Sequence, residues 1–515
     1  MTIQIQKRLL RTVLATSLLL GGPVYAQEGL PVEPTPTAAL PPTLFSASWT
    51  ATLGIDTAAE EPGEDVLLLR NRLDLDLQHP VSETLRVHLA GRLAHRASVG
   101  HEKGSYTPAF TSKGPDFGAR YDTVADLREA NLRTTWGPLA LTVGREVVRW
   151  GALELQSPFA VVCPMDFSQG LAGVLAAPDE PPLLPATMLR LEAPLGPGQL
   201  DALFLPFFEQ HRFSPFATDA ALVRPGLGPE LPAVLATQLR GMDVRLDRSL
   251  SESLMLALAP PSATPLDGSL GLRWSTHLGQ ADVALTALWV WDRMPELHLD
   301  SDLALLLGRS YAAGFDATKL VALVADPTFA AAAQRAKGKN WKDLARATWQ
   351  RRAVVGGELQ WELAEGWILR SDVAWSDQKV LLDTQFQPVL SGMLQAGAGL
   401  EHGVGSGVTL LGELTWDWAY DAPSDRTLLM TARHNVRVSG GALARLGEAE
   451  VWTLQLLGFY GISLHDWALA PRLAYQFAER WRAGLGAVLQ GGPGNTLGGM
   501  LAHDDQVLLE VRRSW

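Results

Sequence analysis

The sequence predicts an all-β fold, a closed antiparallel transmembrane β-barrel of about 18 strands, within a range of roughly 16 to 20. Three observations predict it: many segments alternate apolar and polar residues, short and long connections alternate between them, and tryptophans gather at segment ends. Composition agrees, because charged residues make up only 19% of the chain while the mean hydropathy is +0.06. That hydropathy is far too low for a bundle of membrane helices.

The alternation is clearest at residues 69–78. Leu73, Leu75 and Leu77 share one parity, while Arg72 and Asp74 share the other. Period-two alternation places the two sets on opposite faces of a strand. A tilted strand needs about 9–11 residues to cross a bilayer, which most of these segments approach. The pattern recurs at 241–248, 367–375, 408–418 and 481–489.

Connections between these segments fall into two length classes. Short ones lie at 79–84, 136–138, 194–198, 247–252, 363–366 and 478–480. Long ones lie near 95–125, 150–183, 208–236, 293–350, 376–392, 418–428 and 490–505. Outer-membrane barrels combine short periplasmic turns with longer external loops, so the asymmetry favours a membrane barrel over a soluble sandwich.

Tryptophans at segment ends predict an aromatic girdle at the headgroups. The predicted girdle residues are Trp136, Trp150, Trp361, Trp367, Trp375, Trp416, Trp418, Trp467 and Trp481.

The last segment, 507–515, resembles the terminal strand signal of bacterial outer-membrane barrels, with Val511 and Trp515 on its apolar parity. This resemblance implies recognition by the outer-membrane assembly machinery and contact with outer-membrane lipid. Arg513 shares the lipid-facing parity, and its long side chain can reach the interface.

The chain divides into three predicted regions. Residues 1–26 read as a cleaved signal peptide, with a basic start, an apolar core at 14–20 and "VYA" before Gln27. Residues 27–43 are a Pro-rich segment, and 44–515 form the barrel. Export through the inner membrane and location in the outer membrane follow. Removing 1–26 leaves 40 basic and 55 acidic side chains, a net charge of −15, so no nucleic-acid partner is expected.

Residues 293–350 contain a predicted helical loop insertion. Asp316 and Asp326 are placed to cap short helices, and Pro327 suits the first helical turn. These helices either constrict the lumen or cap the outer mouth.

The most specific stretch is 126–166. It resembles a G-R-x-x-V-x-W-G element followed by a D/N-x-P-x-D loop, found in a family of large outer-membrane barrels of unknown function that is related to alginate-export channels. The matching residues are Glu129, Gly144, Arg145, Val148, Trp150, Gly151, Pro164 and Asp166. Cys163, the only cysteine, stands where that pattern has asparagine. The resemblance implies a porin-like barrel.

The two glycines of this element suggest a bulge or a close backbone approach. A bulge in this strand would return Arg145 or Glu146 to the lumen, since strict alternation from Leu139 places Arg145 towards lipid. Alternatively, the element is a structural clamp that holds the following loop.

Inward-parity positions carry eleven arginines and eleven carboxylates. Either the lumen is braced by arginine–carboxylate pairs, or arginines line a path for an anionic polymer, as in the alginate exporters. The balance of signs favours bracing, because an anion-selective pore should show a basic excess. The candidate lumen and constriction residues are Arg70, Arg72, Asp74, Asp76, Arg86, Glu129, Arg133, Arg145, Glu146, Asp243, Arg245, Arg370, Asp372 and Glu413.

Catalysis is not predicted. The sequence has no G-x-S-x-G element, no H-x-x-x-H pair and no cysteine cluster, so no catalytic residue, metal site or cofactor is assigned. Two functions remain open. One is a porin-like channel for a solute or a secreted polymer, including polysaccharide. The other is a structural or assembly barrel with a closed lumen, bound to periplasmic or envelope proteins of a secretion or motility complex.

Overall fold

A computed structural model describes residues 41–57, 66–97, 123–167, 170–175, 182–212, 267–313, 317–337, 339, 341–405, 407–501 and 505–515. The predicted signal peptide and almost all of the Pro-rich segment lie outside these residues. Among the described helices, none is long and apolar enough to cross a membrane.

Eighteen of the described strands form one sheet. They are β1 (Leu44–Asp56), β2 (Val66–Pro80), β3 (Leu85–Ala97), β4 (Thr123–Trp136), β5 (Leu139–Glu146), β6 (Ala186–Leu195), β7 (Gly198–Leu205), β8 (Ser269–Leu278), β9 (Ala281–Trp291), β12 (Arg351–Ala364), β13 (Trp367–Leu382), β14 (Pro388–Val404), β15 (Val408–Ala419), β16 (His434–Leu446), β17 (Trp452–Gly461), β18 (Trp467–Ala478), β19 (Trp481–Gly491) and β20 (Gln506–Ser514). A separate hairpin joins β10 (Glu296–Leu299) to β11 (Ala345–Thr348).

The sheet closes on itself. β1 pairs with both β2 and β20, and β9 pairs with β12, all antiparallel. A closed barrel leaves no sheet edge, as hydrocarbon requires. The predicted closed antiparallel barrel of 18 strands is therefore confirmed. The predicted strand at 241–248 lies outside the described residues, and β7 pairs directly with β8.

Short and long connections occupy opposite ends of the barrel, as predicted. One predicted long connection is wrong. Residues 376–392 are mostly strand, and only 383–387 connect β13 to β14. These two strands extend further than their neighbours because Leu381 and Val389 are buried in an apolar cluster with Leu428 of the following long loop.

The barrel exterior is apolar and carries an aromatic girdle at each end. Exposed leucines such as Leu75, Leu93, Leu132, Leu285 and Leu414 face outward. At the short-turn end the exposed aromatic residues include Trp136, Trp361, Trp367, Trp452 and Tyr475. At the long-loop end they include Trp289, Trp375, Tyr460 and Trp467. This exterior is that of a transmembrane barrel.

Trp150 was predicted to belong to the girdle, and this is wrong. Its side chain is only 3% exposed and lies inside the barrel. Its indole Nε1 donates to Asp201 Oδ2 at 3.2 Å, which supplies the polar partner that a buried tryptophan needs.

The predicted helical insertion rises from the long-loop end. It contains α2 (Ser301–Ala312), α3 (Ala317–Ala325), α4 (Pro327–Lys337) and α5 (Trp341–Leu344), while α1 (Gly170–Leu175) and α6 (Leu497–Met500) lie in other loops. Asp326 caps α4 as predicted, because its Oδ1 accepts from the backbone N–H of Thr328 at 2.7 Å. Asp316 lies outside the described residues. An ion pair of 2.7 Å between Arg335 and Asp302 ties α4 to α2.

β20 closes the barrel beside β1. The backbone N–H of Trp515 donates to the carbonyl of Ala47 at 2.9 Å. The guanidinium of Arg513 lies 4.8 Å from the Trp515 ring centre and 5.3 Å from that of Trp481. Stacking between two tryptophans stabilises an arginine on the lipid-facing side. Recognition of Val511 and Trp515 by the assembly machinery stays a prediction.

Replacing Trp515 by alanine should weaken this closing seam. Each cation–π contact of this kind contributes about 0.5–1 kcal/mol, so the temperature at which the folded barrel converts to its slower-migrating unfolded band on a gel should fall. Trp361→Ala, at another girdle position of the same end, is the control. Equal conversion temperatures for Trp515→Ala and the wild-type chain would contradict a stabilising role of Trp515 at this seam.

Candidate functional site

The connection after β5 turns into the barrel. We name residues 147–167 the strap. It has no regular secondary structure over most of its length, and two of its apolar side chains, Leu153 and Phe159, are at most 1% exposed. Val148, Phe159 and Val162 belong to one buried cluster with inner-wall residues of β6, β7, β9, β12 and β13, namely Ala186, Met188, Leu203, Leu205, Leu288, Val290, Val354 and Ala374.

Three wall carboxylates bind the backbone of the strap between residues 151 and 156. The N–H of Gly151 donates to Glu358 Oε2 at 3.3 Å. The N–H groups of Ala152 and Leu153 donate to Asp372 at 2.9 and 3.2 Å.

The third carboxylate, Glu413 on β15, accepts hydrogen bonds from the next three backbone N–H groups of the strap. The N–H groups of Glu154, Leu155 and Gln156 donate to its two oxygens at 2.6 to 3.3 Å. Six consecutive backbone donors, from 151 to 156, therefore end on carboxylates that belong to three different strands.

The strap entry is held by Glu129 and Cys163. Glu129 Oε1 accepts from the N–H of Val147 at 3.2 Å. Cys163 Sγ accepts from the N–H of Val148 at 3.2 Å and lies 3.9 Å from the carbonyl of Glu146. The thiol thus lies between one backbone donor and one backbone acceptor. Burial raises the pKa of the Cys163 thiol to about 11.

The two glycines of the motif mark close backbone approaches. At Gly144 a Cβ would lie 2.1 Å from the carbonyl oxygen of Ala130. Gly151 has a φ of +108°, and a Cβ there would lie 1.8 Å from Ser157 Oγ. Only glycine fits either position without movement of its neighbours.

The bulge that we predicted near Gly144 is in the neighbouring strand instead. Pairing through β5 is continuous, whereas β4 shifts register opposite Ala90 and Gly91, leaving Arg128 as the extra residue. Arg128 then donates to the carbonyl of Leu183, just before β6, at 2.9 Å. Arg145 pairs with Glu209 at 2.9 Å beyond the end of β7.

The remaining motif residues hold the strap exit. The carbonyl of Pro164 accepts from the N–H of Leu184 at 2.7 Å. Arg212 bridges Asp166 at 3.1 Å and Asp126 at 2.7 Å. Beside them, the N–H of Met165 donates to His211 Nδ1 at 2.8 Å.

Two basic side chains at the strap exit, His211 and Arg293, have pKa values below their usual range. Burial lowers the pKa of His211 to about 3, so its ring stays neutral and can accept. Burial lowers the pKa of Arg293 to about 10, while its guanidinium donates to the carbonyls of Val161, Val162 and Glu209. Sequence periodicity missed both residues because they lie in loops after β7 and β9.

Helix α1 extends the same connection to another part of the wall. Leu171 packs against Ala468 and Ala470 of β18 and Val488 of β19. The loop after β19 covers this contact with Leu501. The β5–β6 connection therefore reaches from β5 across to β18 and β19, and it narrows the lumen.

Arginines concentrate on the part of the wall that lies across the barrel from the strap carboxylates of β12, β13 and β15. We name the inward-facing side chains of β18–β20 and β1–β4 the basic sector. Its arginines are Arg70, Arg72, Arg86, Arg92, Arg133, Arg472, Arg482 and Arg512. Its carboxylates are Asp74, Asp76, Asp126, Glu129 and Glu510.

Three of these arginines project at one level. Arg482 lies directly across from Arg512, Arg512 across from Thr50, and Thr50 across from Arg72. Neighbouring strands are about 4.8 Å apart, so this row spans about 15 Å of the wall. Arg482 and Arg512 are like charges directly opposite each other and repel. Their closeness makes the potential at this level positive.

Several carboxylates of the basic sector bind arginine or histidine. Asp74 binds Arg72 at 2.7 Å and Arg92 at 2.6 Å. Asp76 lies 2.7 Å from His88.

Two further predicted arginines face each other near the short turns. Arg86 lies directly across from Arg133 and is exposed. Arg133 binds Glu192 at 2.6 Å. The candidates Asp243 and Arg245 lie outside the described residues.

The strap-bearing wall has the opposite balance. On β12–β15 the carboxylates are Glu358, Glu362, Asp372, Glu401, Glu413 and Asp417, and the inward basic side chains are Arg352, Arg370 and Lys379. Arg370 binds Glu401 at 2.7 Å and Glu154 of the strap at 3.1 Å. Glu146 lies 3.9 Å from Arg190, whose main partner is Asp201 at 2.8 Å. The lumen is therefore both braced and divided by charge.

Among the described residues, no group of three or more His, Cys, Asp or Glu side chains is placed to hold a metal ion.

No family model matches the chain, and no curated protein matches it. Solved structures give distant likenesses. OccAB4 of Acinetobacter baumannii has a TM-score of 0.45 at 7% identity, covering 92% of this chain and 98% of that one. OccK5 (OpdH) of Pseudomonas aeruginosa has a TM-score of 0.44 at 7% identity, covering 92% and 97%. OmpF of Salmonella typhi, in complex with daunomycin, has a TM-score of 0.40 at 7% identity, covering 92% and 97%.

The strand ladder itself decides the architecture. Eighteen antiparallel strands close with an apolar exterior and a charged interior, which is the construction of outer-membrane channels. The fold is that of a porin-type outer-membrane barrel.

Gly151→Ala should displace the strap, because the added Cβ would overlap Ser157 Oγ and the positive φ disfavours any other residue. Cys163 is the only cysteine and is 1% exposed, so its reaction with a maleimide reports displacement. Labelling should be faster in the variant than in the wild type. Gly403→Ala, where nothing lies within 4 Å of the new Cβ, is the control. Unchanged labelling in Gly151→Ala would show that the strap tolerates the side chain.

His211 should make the strap exit sensitive to acid. The folded pKa is depressed to about 3, so its stabilisation is present above the unfolded value near 6.5 and is lost as pH falls towards 3. His211→Asn keeps an acceptor for Met165 but does not titrate. Unfolding temperatures of the two proteins, measured from pH 7 to pH 4, should show a smaller fall for the variant. Parallel curves would contradict this role.

Proposed function

We propose that the chain is an outer-membrane channel through which small anionic solutes pass along the basic sector. The observation that carries the proposal is the separation of charge across the lumen. Arginines predominate on β18–β20 and β1–β4, while carboxylates predominate on β12–β15. An excess of arginine along one wall attracts anions and selects against cations.

The equal signs counted along the sequence hide this excess. Asp126 binds Arg212, a loop residue, and Glu129 binds the strap N–H of Val147. Asp126 therefore neutralises a cation outside the row of wall arginines, and Glu129 has a strap N–H rather than an arginine of the row as its partner. On the other wall, Asp372 and Glu413 are occupied by strap N–H groups. The wall facing the solute path is consequently more basic than the total charge indicates.

The strap favours a small solute over a polymer. It fills the side of the lumen next to β6–β15 with buried apolar side chains, and α1 reaches β18 and β19. The remaining passage is narrower than an empty 18-stranded barrel would leave. Polysaccharide export would need the strap to withdraw.

The presence of the strap and α1 inside the lumen also favours the second candidate. This candidate is a structural barrel of an envelope complex whose lumen is closed. In that case the long loops or the segment before β1 would bind the partner proteins. Conductance separates the two candidates, because a closed barrel conducts nothing in any salt.

For either function we propose export by the predicted signal peptide, insertion by the outer-membrane assembly machinery, and contact of the apolar exterior with outer-membrane lipid. The exposed leucines and the two aromatic girdles support the lipid contact.

The channel should be anion-selective in planar bilayers under a potassium chloride gradient. Replacing Arg482 and Arg512 together by glutamine should lower the chloride-to-potassium permeability ratio several-fold, because two of the three arginines in the row lose their charge. Arg309→Gln, on α2 of the helical insertion and not part of the basic sector, is the control and should keep the wild-type ratio.

Two results would contradict the proposal. A barrel that gives no open steps would support the structural candidate. A conducting barrel that prefers potassium would show that the basic sector does not line the path. Block by a small dicarboxylate, compared with an acidic oligosaccharide, then measures which size of anion enters.

A further inference from the structure

The strap holds its position through backbone donors rather than through secondary structure. Residues 151–156 belong to no helix or strand. Six consecutive N–H groups instead donate to Glu358, Asp372 and Glu413. Buried backbone donors need acceptors, and ionised carboxylates are the strongest that side chains offer. Seating of the strap therefore depends on the charge of these three side chains.

Glu358 differs from the other two carboxylates. Arg273 donates to both of its oxygens at 2.8 to 3.1 Å, and Thr286 Oγ1 also donates to it. These partners are on β8 and β9, so Glu358 keeps a compensating charge whether or not the strap is seated. Glu358 is thus a fixed part of the wall.

Asp372 and Glu413 depend on the strap. Between described residues, the hydrogen bonds to Asp372 come from Ala152, Leu153 and Ser157. Those to Glu413 come from residues 154–156. The two residues are 0% and 2% exposed. A buried carboxylate that loses its donors is strongly destabilised, so charge and seating stabilise each other.

The charged groups around these two carboxylates do not replace the strap. Those facing Asp372 and Glu413 from β12, β13, β14, β15, β16 and the strap are Glu358, Arg370, Glu401, Asp417, Arg437, Arg149 and Glu154. Arg370 is engaged by Glu401 and Glu154, and Arg149 binds Glu154. Glu358 and Glu154 add negative charge, which disfavours ionised Asp372 and Glu413 once the N–H donors leave.

The two ends of the strap are attached differently from its middle. Cys163 and Glu129 hold the entry, and Arg293, Arg212 and Pro164 hold the exit. These attachments contain no wall carboxylate of β13 or β15. The middle can therefore leave the wall while both ends stay in place.

We propose that Asp372 and Glu413 form a latch that holds residues 151–157 against the lumen wall, and that neutralising the latch releases this part of the strap and widens the lumen. Acid neutralises the latch in the native chain. The latch deepens the proposed channel function, but release of the strap is measured at a Leu153→Cys substitution in a Cys163→Ser chain and does not require conduction.

Isosteric amides test the latch at constant pH. Asp372→Asn and Glu413→Gln remove the charge and keep the size of the side chain. The reporter is Leu153→Cys in a Cys163→Ser chain, because Leu153 lies in the released segment and is only 1% exposed. In the purified barrel at neutral pH, its maleimide labelling should be at least about tenfold faster with the double substitution than without it, because the strap opens more often. Glu362→Gln, an exposed carboxylate on β12, is the matched control and should leave the labelling rate unchanged. Heat-modifiable migration on a gel verifies that each barrel is folded.

A second measurement applies if the double variant does not assemble. In a chain that carries Leu153→Cys, Cys163→Ser and His211→Asn, so that residue 211 does not titrate, the cysteine is labelled with a dipyridyl disulfide at pH 7 and pH 4.5. This reagent reacts with thiols in acid. The labelling rate is divided by that of a cysteine placed at the exposed Glu448 in a Cys163→Ser chain. The normalised rate should rise in acid.

Each outcome decides the proposal. Faster labelling in the amide variant, with loss of the acid response, supports the latch. Labelling that stays slow in folded Asp372→Asn/Glu413→Gln overturns it, as does a normalised rate that does not change in acid. A barrel that does not conduct but releases the strap would contradict the proposed channel function and support the latch. A barrel that conducts but does not release the strap would support the channel function and contradict the latch.

Discussion

Satisfaction of backbone hydrogen bonds is the constraint on which the rest of this structure depends. In hydrocarbon each strand must pair on both sides, so the sheet closes between β1 and β20. The strap meets the same constraint inside the barrel, where it has no neighbouring strand. Its donors end on Asp372 and Glu413 instead. One requirement thus explains both the closed wall and the charged residues that the wall places behind the strap.

The sequence was sufficient for the wall because strand alternation is local. Leu73 and Asp74 reveal two faces without knowledge of any partner. The strap could not be predicted in this way. Its contacts join residues more than 200 positions apart, as Ala152 and Asp372 do, and no periodicity reports them. Trp150 shows the resulting error, since a tryptophan at a strand end suits an aromatic girdle and a buried hydrogen bond to Asp201 equally well.

The distribution of charge between the two walls of the lumen could not be predicted from the sequence either. A count of inward positions gives equal signs, and equal signs favour bracing. The fold places Arg482, Arg512 and Arg72 in one row, and Asp372 and Glu413 on the facing strands. Bracing and a basic path are therefore compatible, because neutrality over the whole lumen does not require neutrality on each wall.

The chemistry of its attachments separates the mobile part of the strap from the fixed part. Apolar packing of Phe159 and the Arg293 bonds to main-chain carbonyls do not depend on the charge of a carboxylate. The bonds to Glu413 do. A plug built only of the first kind would be permanent, and one built only of the second would detach entirely. Combining them gives a segment that can swing at its middle while its ends remain fixed. A passage that is narrowed on the carboxylate side and lined by arginine on the other side then changes width without losing its basic wall.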